Sequence, residues 1–407
     1  MARVLVVDGH SPAALAFTRS LGRAKHWVAV GSNLGMDAPA DVSRYCRLSA
    51  KYPVPSADAS GFVEAILEFA RKHAIELIIP VTDWTVVPLS KYRNQFQGVS
   101  RLALGPHAAL EVAADKFQTV CLARELRIPV PETTLISSVD DLGGTAANLN
   151  FPVVVKDRFS ARWEGNRAIL GSVSYAYSME DLKQKVEHRV TEAGDVLLQQ
   201  FVQGKGIGFS CLATEEGLCL PFMWLRVRET DPRGSGSSAQ RSIPVMAGVQ
   251  EASSALVRRV GLRGICMVEF KRPRNGGPPV LMEINARPWG SLPLPIICGI
   301  DYPRLWVDWL LTGKVPPREI EYKKGITCRR LVSELTHLEH TFRGTPPGWP
   351  VPYRGFFQTL LKIAVPWYPG MRYADLWFSD PAPGFAGLAS WFRGHLDRSE
   401  SKPKSLA

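Results

Sequence analysis

Short apolar runs alternate with amphipathic stretches through the first hundred residues. Arg3-Val-Leu-Val-Val7 is followed, after Asp8-Gly-His-Ser-Pro12, by helical spacing over Ala13–Leu21, and Trp27–Val30 is a second apolar run. Gly61–His73 sets Phe62, Ile66, Phe69 and Ala70 on one stripe and delivers the chain to Leu77–Pro80. Ser90–Phe96 and Leu102–Leu104 continue the rhythm. A strand followed by a helix, repeated, predicts a parallel sheet covered by helices.

The texture changes near Pro106. Ala108–Leu126 reads as one helical segment carrying Asp115-Lys116, and Arg127-Ile-Pro-Val-Pro131 ends it because proline cannot continue a helix. Strands are predicted at Phe151–Lys156, at Val196–Val202 closed by Gly204-Lys-Gly206, and at Ser210–Thr214, Leu220–Arg228, Cys266–Lys271 and Val280–Ile284. Beyond Pro316 the chain is rich in Pro, Gly and Trp, without a repeat.

The 407 residues allow two to four domains at about 100–200 residues each. A 45% hydrophobic content excludes disorder as the dominant state. No uncharged apolar run reaches the roughly 18 residues a membrane span needs. Seven cysteines, an odd number with no C-x-x-C pair, read as scattered small hydrophobes in a reducing compartment. Val4–Val7, interrupted by Asp8, is too short for the apolar core of a signal peptide, so the cytoplasm is the expected location. The net charge of +11 gathers anions of any kind. No helix-turn-helix, RNA-binding aromatic motif, zinc finger or long basic block accompanies it, so small anions are expected as partners and nucleic acid is not. The loop Asp8-Gly-His-Ser-Pro-Ala offers one glycine where a dinucleotide fingerprint needs three, which favours a scaffold or part of an acceptor site.

The sharpest chemistry lies in Met267-Val-Glu-Phe270 and Leu281-Met-Glu-Ile-Asn-Ala-Arg-Pro288. Side chains alternate along a strand, so Glu283, Asn285 and Arg287 share one face, and a hairpin of 266–271 with 280–285 brings Glu269 to it. Two carboxylates and an amide oxygen form a hard-oxygen set suited to Mg²⁺. The bland alternative is a solvated outer face, but the apolar flanks argue for central strands whose carboxylates need a partner. Lys156, at the end of an apolar strand, either snorkels to water or meets a nucleotide phosphate. Lys116, after an aspartate in a helix, is uninformative by itself.

In this order, Asp115-Lys116, Phe151–Lys156, Leu197–Gly204, Met267–Phe270 and Met282-Glu-Ile-Asn-Ala-Arg287 resemble the ATP-grasp superfamily, especially its carboxylate–amine ligases and the carbamoyl-phosphate-synthase-like branch. The resemblance covers about residues 1–312 and includes the run Leu77–Asp83. It implies a mixed α/β and α+β chain. A Rossmann-like pre-ATP-grasp domain would occupy 1–107, the two grasp subdomains 108–195 and 196–312, and a C-terminal aromatic and proline-rich extension 313–407. By the same resemblance Lys116 and Lys156 contact nucleotide phosphates, and Gln199, Gln200, Phe201 and Val202 form the hinge whose backbone reads adenine. Glu269, Glu283 and Asn285 hold Mg²⁺ or Mn²⁺, and Arg287 steadies the transferred phosphoryl group.

Two departures from the family pattern stand out. Gln200 fills a hinge position commonly held by glutamate, and Arg158–Asn166, with one glycine, replaces a glycine-rich phosphate loop. That segment is expected to be a mobile loop that orders Arg162 around the phosphates. Arg226 and Arg228 alternate onto one strand face, a Gly/Ser loop returns to Arg241, and these arginines, Arg226 and Arg241 foremost, are candidates for binding the carboxylate substrate or the γ-phosphate. A solvated loop is the competing reading.

The implied activity is an ATP- and Mg²⁺-dependent ligase that activates a carboxylate as an acyl phosphate and couples it to an amine. Its partners would be small-molecule carboxylates and amines, with a second copy of the chain as a homodimer. A carbamoyl-phosphate-type synthase using carbonate or carbamate and a non-catalytic ATP-binding module are the alternatives. The aromatics between Phe356 and Phe392 read first as ordinary core and second as a peripheral membrane or protein contact. The polar end, Arg398–Ala407, is expected to be disordered.

Overall fold

The computed structural model describes residues 1–145 and 150–400. Strands β1 (Arg3–Val6), β2 (Trp27–Asn33), β3 (Leu48–Tyr52), β4 (Leu77–Ile79) and β5 (Arg101–Leu102) pair in parallel in the order β3-β2-β1-β4-β5. Helices α1 (Pro12–Arg23), α2 (Ala59–Lys72) and α3 (Asp83–Lys91) connect them. The strand order reverses between β1 and β4, which opens a crevice at their carboxyl ends. There the buried Asp8 carboxylate accepts the Thr82 N–H at 2.9 Å and the Thr85 hydroxyl at 2.6 Å, fixing the start of α3.

The single helix expected over 108–126 is two, α4 (His107–Ala114) and α5 (Lys116–Glu125). Asp115 takes extended backbone angles, and its carboxylate accepts the N–H groups of Phe117 at 3.0 Å and Gln118 at 3.1 Å. An aspartate that caps a new helix is favoured over one that continues an old one. The break places Lys116 at the first turn of α5.

A second unit comprises β6 (Thr133–Ile136), α6 (Leu142–Thr145), β7 (Val153–Asp157), β8 (Ala161–Glu164), β9 (Arg167–Leu170), β10 (Val173–Ala176), α7 (Met179–Ala193) and β11 (Val196–Gln200). Four of its strands form an antiparallel sheet in the order β10-β7-β11-β6, and α7 packs Leu182 and Val186 against Val153, Val155, Val196 and Leu198. The segment expected as a mobile loop, 158–166, belongs largely to the β8–β9 hairpin. Glu164 pairs with Arg167 across Gly165-Asn166, and Gly165 has φ +60°. Glycine at the first of two turn residues matches the twist of a tight hairpin.

The largest sheet follows from β12 (Gly204–Thr214), β13 (Gly217–Asp231), β14 (Ser235–Ile243), α8 (Ala247–Val260), β15 (Gly264–Pro273), β16 (Val280–Asn285), α9 (Pro293–Cys298) and α10 (Tyr302–Thr312). Further along come β17 (Thr327–Arg329), α11 (Leu331–Arg343), α12 (Phe356–Ala364), β18 (Met371–Tyr373) and α13 (Ala382–Glu400). The order is β16-β15-β12-β13-β14-β17-β18, antiparallel except for β17 with β18. Glycines expected to close a strand at 204–206 instead open β12. Gly208 further along it faces Trp224, and a Cβ there would lie 2.3 Å from the indole. The Gly/Ser stretch read as a loop before Arg241 belongs to strand β14, which pairs with β13 along its length and with β17 at Ala239–Arg241.

Strands β17 and β18 lie beyond residue 312, so the end of the chain completes this sheet. It is fastened by buried charge. Glu334 on α11, fully buried, accepts from Arg329 at 3.1 Å and from Arg228. Arg19 on α1, 1% exposed, donates to the Asp380 carboxylate at 2.8 Å and to the Ala374 carbonyl at 3.0 Å. The C-terminal aromatics depart from the core reading. Phe357, Trp367, Phe378, Phe385 and Phe392 are all exposed, because α11 already covers the sheet at β13 and β14 and α12 packs on α11. Of the tail expected to be disordered, 398–400 is helical and 401–407 lies outside the described residues. Among the described residues no helix is long and apolar enough to cross a membrane.

Candidate active site

The hairpin of β15 with β16 sets Glu269 opposite Glu283 and Met267 opposite Asn285. Residues opposed in this way share a face, so the two carboxylates stand side by side. Asn285 donates its amide N–H to Glu283 Oε1 at 3.0 Å. Glu269 receives the guanidinium of Arg226 from β13, which also reaches Glu229 at 3.5 Å. Burial pushes the Glu269 carboxyl above its usual range, with Arg226 opposing and Glu283 adding to the rise.

Arg287, just past β16, crosses to the N-terminal unit and makes a two-pronged ion pair with Asp83 at the start of α3, with both bonds at 2.8 Å. Burial works against the charge of each. Arg287 by charge and hydrogen bond, with Lys116 by charge, outweighs it and holds the Asp83 carboxyl below the usual carboxylate range. The contact joins the carboxyl ends of the parallel strands to the end of the large sheet.

Lys116 and Lys156 converge from α5 and β7. Lys156 is 7% exposed, and burial lowers its ammonium to about 8, with Glu283 resisting the fall and Lys116 adding to it. Lys116 donates to the Asp157 carbonyl at 3.2 Å and is also lowered by burial, against the pull of Glu283 and Asp83. Two desolvated cations beside one another are costly unless an anion joins them. Arg158 locks the approach, bonding Asp115 at 2.7 Å and Asp195 at 2.9 Å.

A cavity of about 680 Å³ opens between α3, α4, α5, β16 and the β8–β9 hairpin. Asp83, Lys116, Glu283, Asn285 and Arg287 line one part of it, and Val86, Leu110, Phe159, Trp163 and Ile284 line the rest. Arg162 on β8 also lines it, ion-paired to Glu164 at 2.9 Å. The hairpin is strapped to the N-terminal unit. Asn166 accepts the N–H of Ala59 at 3.0 Å on its carbonyl and that of Ser60 at 2.6 Å on its side chain, and Ala168 donates to the Ser56 carbonyl at 2.8 Å.

Lys116, Arg162, Glu283, Asn285 and Arg287 therefore meet at one cavity, with the buried Lys156 and the half-buried Glu269 beside them. The hinge residues Gln199, Gln200, Phe201 and Val202 do not line it. Gln199 turns inward and donates to Thr133 Oγ1 at 2.9 Å, and the Gln200 N–H is taken by the Glu132 carbonyl at 2.9 Å. Phe201 packs 5.2 Å from Trp349, a residue of the C-terminal segment. Arg241 is opposite Leu225 while Arg226 is opposite Gln240, so Arg241 lies on the other face of the sheet, exposed and bonded to Thr327. Arg228 goes to Glu334 and not to the cavity. Sequence reasoning passed over Asp83. Its signal was an acidic residue opening a helix at the carboxyl end of a switch-point strand.

Two carboxylates and an amide fit a hard divalent cation. Glu283, whose one hydrogen bond among the described residues comes from an amide, is the open acceptor of the set.

A family model described as ATP-grasp in the biosynthetic pathway with Ter operon matches residues 192–333. The arginine-specific large chain of carbamoyl phosphate synthase from Cutaneotrichosporon cutaneum is 22% identical over 190 residues, 45% of this chain and 15% of that protein. The chain thus spans well under half the length of the curated relatives it matches. Among solved structures, L-amino acid ligase from Bacillus licheniformis superposes with a TM-score of 0.59 at 15% identity, over 78% of each chain. N5-carboxyaminoimidazole synthetase from Staphylococcus aureus, complexed with ADP, gives 0.61 at 15% identity, over 80% of this chain and 81% of that one.

Proposed function

We propose that this chain, which belongs to the ATP-grasp superfamily, is an ADP-forming ligase that joins a carboxylate to an amine. The observation that carries the reading is the meeting of Lys116, Glu283, Asn285 and Arg287 at one polar cavity wall backed by an apolar chamber, with the buried Lys156 behind it under the charge of Lys116 and Glu283. ATP binding alone does not require Arg287 held in a fixed orientation by a carboxylate from another unit.

In this reading Lys116 and Lys156 hold the nucleotide phosphates, and the segment Gln199–Val202 lies along the adenine. Glu269, Glu283 and Asn285 would hold Mg²⁺ or Mn²⁺, which when bound neutralises charge on the β and γ phosphates. Arg287, oriented by Asp83, meets the charge of the transferred phosphoryl group. A substrate carboxylate oxygen bonds to the γ-phosphorus as the bond to the ADP oxygen breaks. The amine nitrogen then attacks the acyl carbon, phosphate departs, and the surplus amine proton passes to solvent. The strapped hairpin carrying Arg162 and Trp163 keeps water from the acyl phosphate. Arg226, held by Glu269, is a positioning residue for that carboxylate rather than a free substrate clamp. Arg241, on the far face, takes no part.

A carbonate-using reaction is the second reading, favoured by the carbamoyl phosphate synthase relatives. The size and apolar lining of the chamber argue for a larger substrate than carbonate. The test is release of ADP and phosphate from Mg-ATP by the purified chain across a panel of carboxylates and amines. Dependence on both partners supports the ligase. AMP with pyrophosphate, or turnover with bicarbonate and no organic carboxylate, contradicts it.

A further inference from the structure

The solvent face of α12 is apolar where a surface helix is normally polar. Only Thr359 and Ile363 of this helix are buried, while Phe357 is 76% and Leu361 71% exposed. Phe342 at the end of α11 and Phe356 extend the patch, with ring centroids 5.4 Å apart, and Phe356 lies 5.4 Å from Phe357. Trp367, 61% exposed, and Tyr368 follow the helix. The face is held outward: Arg329 donates to the carbonyls of Val365 and Ile363, both at 2.7 Å, and so ties down the end of α12.

Within the segment itself the charge has one sign, while Arg343 at its start is paired with Glu339 of α11. From Phe342 to Ala374 there is no Asp or Glu, while Arg343, Arg354, Lys362 and Arg372 are all basic and all exposed. Arg354 and Lys362 make no ion pair among the described residues. The turn bearing Lys323 and Lys324 comes close to Gly370, where Thr327 donates to the Gly370 carbonyl at 2.8 Å, and Lys324 there is paired with Glu321 at 4.0 Å.

We propose that this face docks on an anionic phospholipid bilayer, with α12 lying in the plane of the interface. Phe357 and Leu361 would enter the acyl boundary, Trp367 and Tyr368 would sit at headgroup level, and Arg354 and Lys362 would meet lipid phosphates. A second copy of the chain suits the face less well, because a two-fold contact would set the same unpaired cations against each other. The proposal is independent of the ligase reading.

The test is co-sedimentation of the full chain with sucrose-loaded vesicles of phosphatidylcholine, pure or with about a third phosphatidylglycerol. Binding to the anionic vesicles and not the neutral ones is expected, weakening with salt. Removing both basic residues in Arg354→Ala/Lys362→Ala weakens it about 25-fold, at roughly fivefold per residue. Phe357→Ser/Leu361→Ser abolishes it without changing the melting temperature, since both side chains project into solvent. Absence of sedimentation, equal sedimentation with both vesicle types, or binding indifferent to these substitutions overturns the proposal. So does self-association in ultracentrifugation that Phe357→Ser removes, which assigns the face to a second copy.

Discussion

Lys156 offers a direct electrostatic test of the proposed nucleotide site. Burial lowers its ammonium from the ordinary 10.5 to about 8, so the free protein loses that charge just above neutral pH. Nucleotide phosphates beside it would restore the ordinary value. At pH 9 the free site then holds about 0.1 proton and the complex about 1, so ADP binding takes up about 0.9 proton; at pH 7 the uptake is about 0.1. If only the charged lysine binds, affinity falls about tenfold between pH 7 and pH 9. Calorimetric titration with ADP in EDTA, in buffers of different ionisation enthalpy, reads the proton count without a metal ion contributing charge. Lys156→Met should lose the uptake, and Lys156→Arg should lose it while keeping measurable affinity. The same depression has a stability sign: the unfolded lysine keeps its proton to 10.5 and the folded one only to about 8, so stability from this group rises with pH between those values. Uptake below about 0.2 proton at pH 9, or equal uptake in the wild type and Lys156→Met, would refute the placement of phosphate at Lys156.

Other consequences are open to measurement. Asp83→Ala leaves the Arg287 guanidinium without its partner and should cost about 1–3 kcal/mol in urea unfolding, less than a fully buried pair would because both groups are partly exposed; it should also lower kcat, because Arg287 loses its orientation. Glu283→Gln keeps the shape and the amide contact of Asn285 but removes the open carboxylate, so the metal requirement for turnover should rise at least tenfold in concentration while the melting temperature holds within a few degrees. Gly208→Ala puts a methyl 2.3 Å from Trp224 and should destabilise by about 1–3 kcal/mol. Asn166→Ala removes the side-chain bonds to Ser60 and Asp58 that strap the hairpin, so trypsin should cut at Arg162 and Arg167 faster than in the wild type.

Strands β1, β2 and β4 were legible because each is a buried apolar run with little else it could be, whereas β3, with Ser49 and Lys51 exposed between its buried positions, was not read. The β15–β16 hairpin was legible from alternation, and its register does bring Glu269 to Glu283. Partners from distant segments were not. Nothing local in Arg287 names Asp83, 204 residues away, and nothing in Arg226 announces that it belongs to Glu269. The β8–β9 hairpin was missed although Glu-Gly-Asn-Arg is a two-residue turn signal, because its strands are short and polar. Arg241 was misplaced for a related reason: reading the Gly/Ser stretch as a loop left its face undefined, whereas pairing on both sides of β14 decides it. The C-terminal aromatics resist pattern reading because an apolar stripe has the same spacing whether it faces a core or solvent.

The central claim is that a carboxylate is activated by phosphorylation. With the carboxylate–amine pair that stimulates ATP turnover, the carboxylate oxygens can be enriched in ¹⁸O and the released phosphate weighed by mass spectrometry. Transfer through an acyl phosphate predicts one labelled oxygen in each phosphate released, with ADP as the other nucleotide product. Unlabelled phosphate, or label found in AMP, would contradict it.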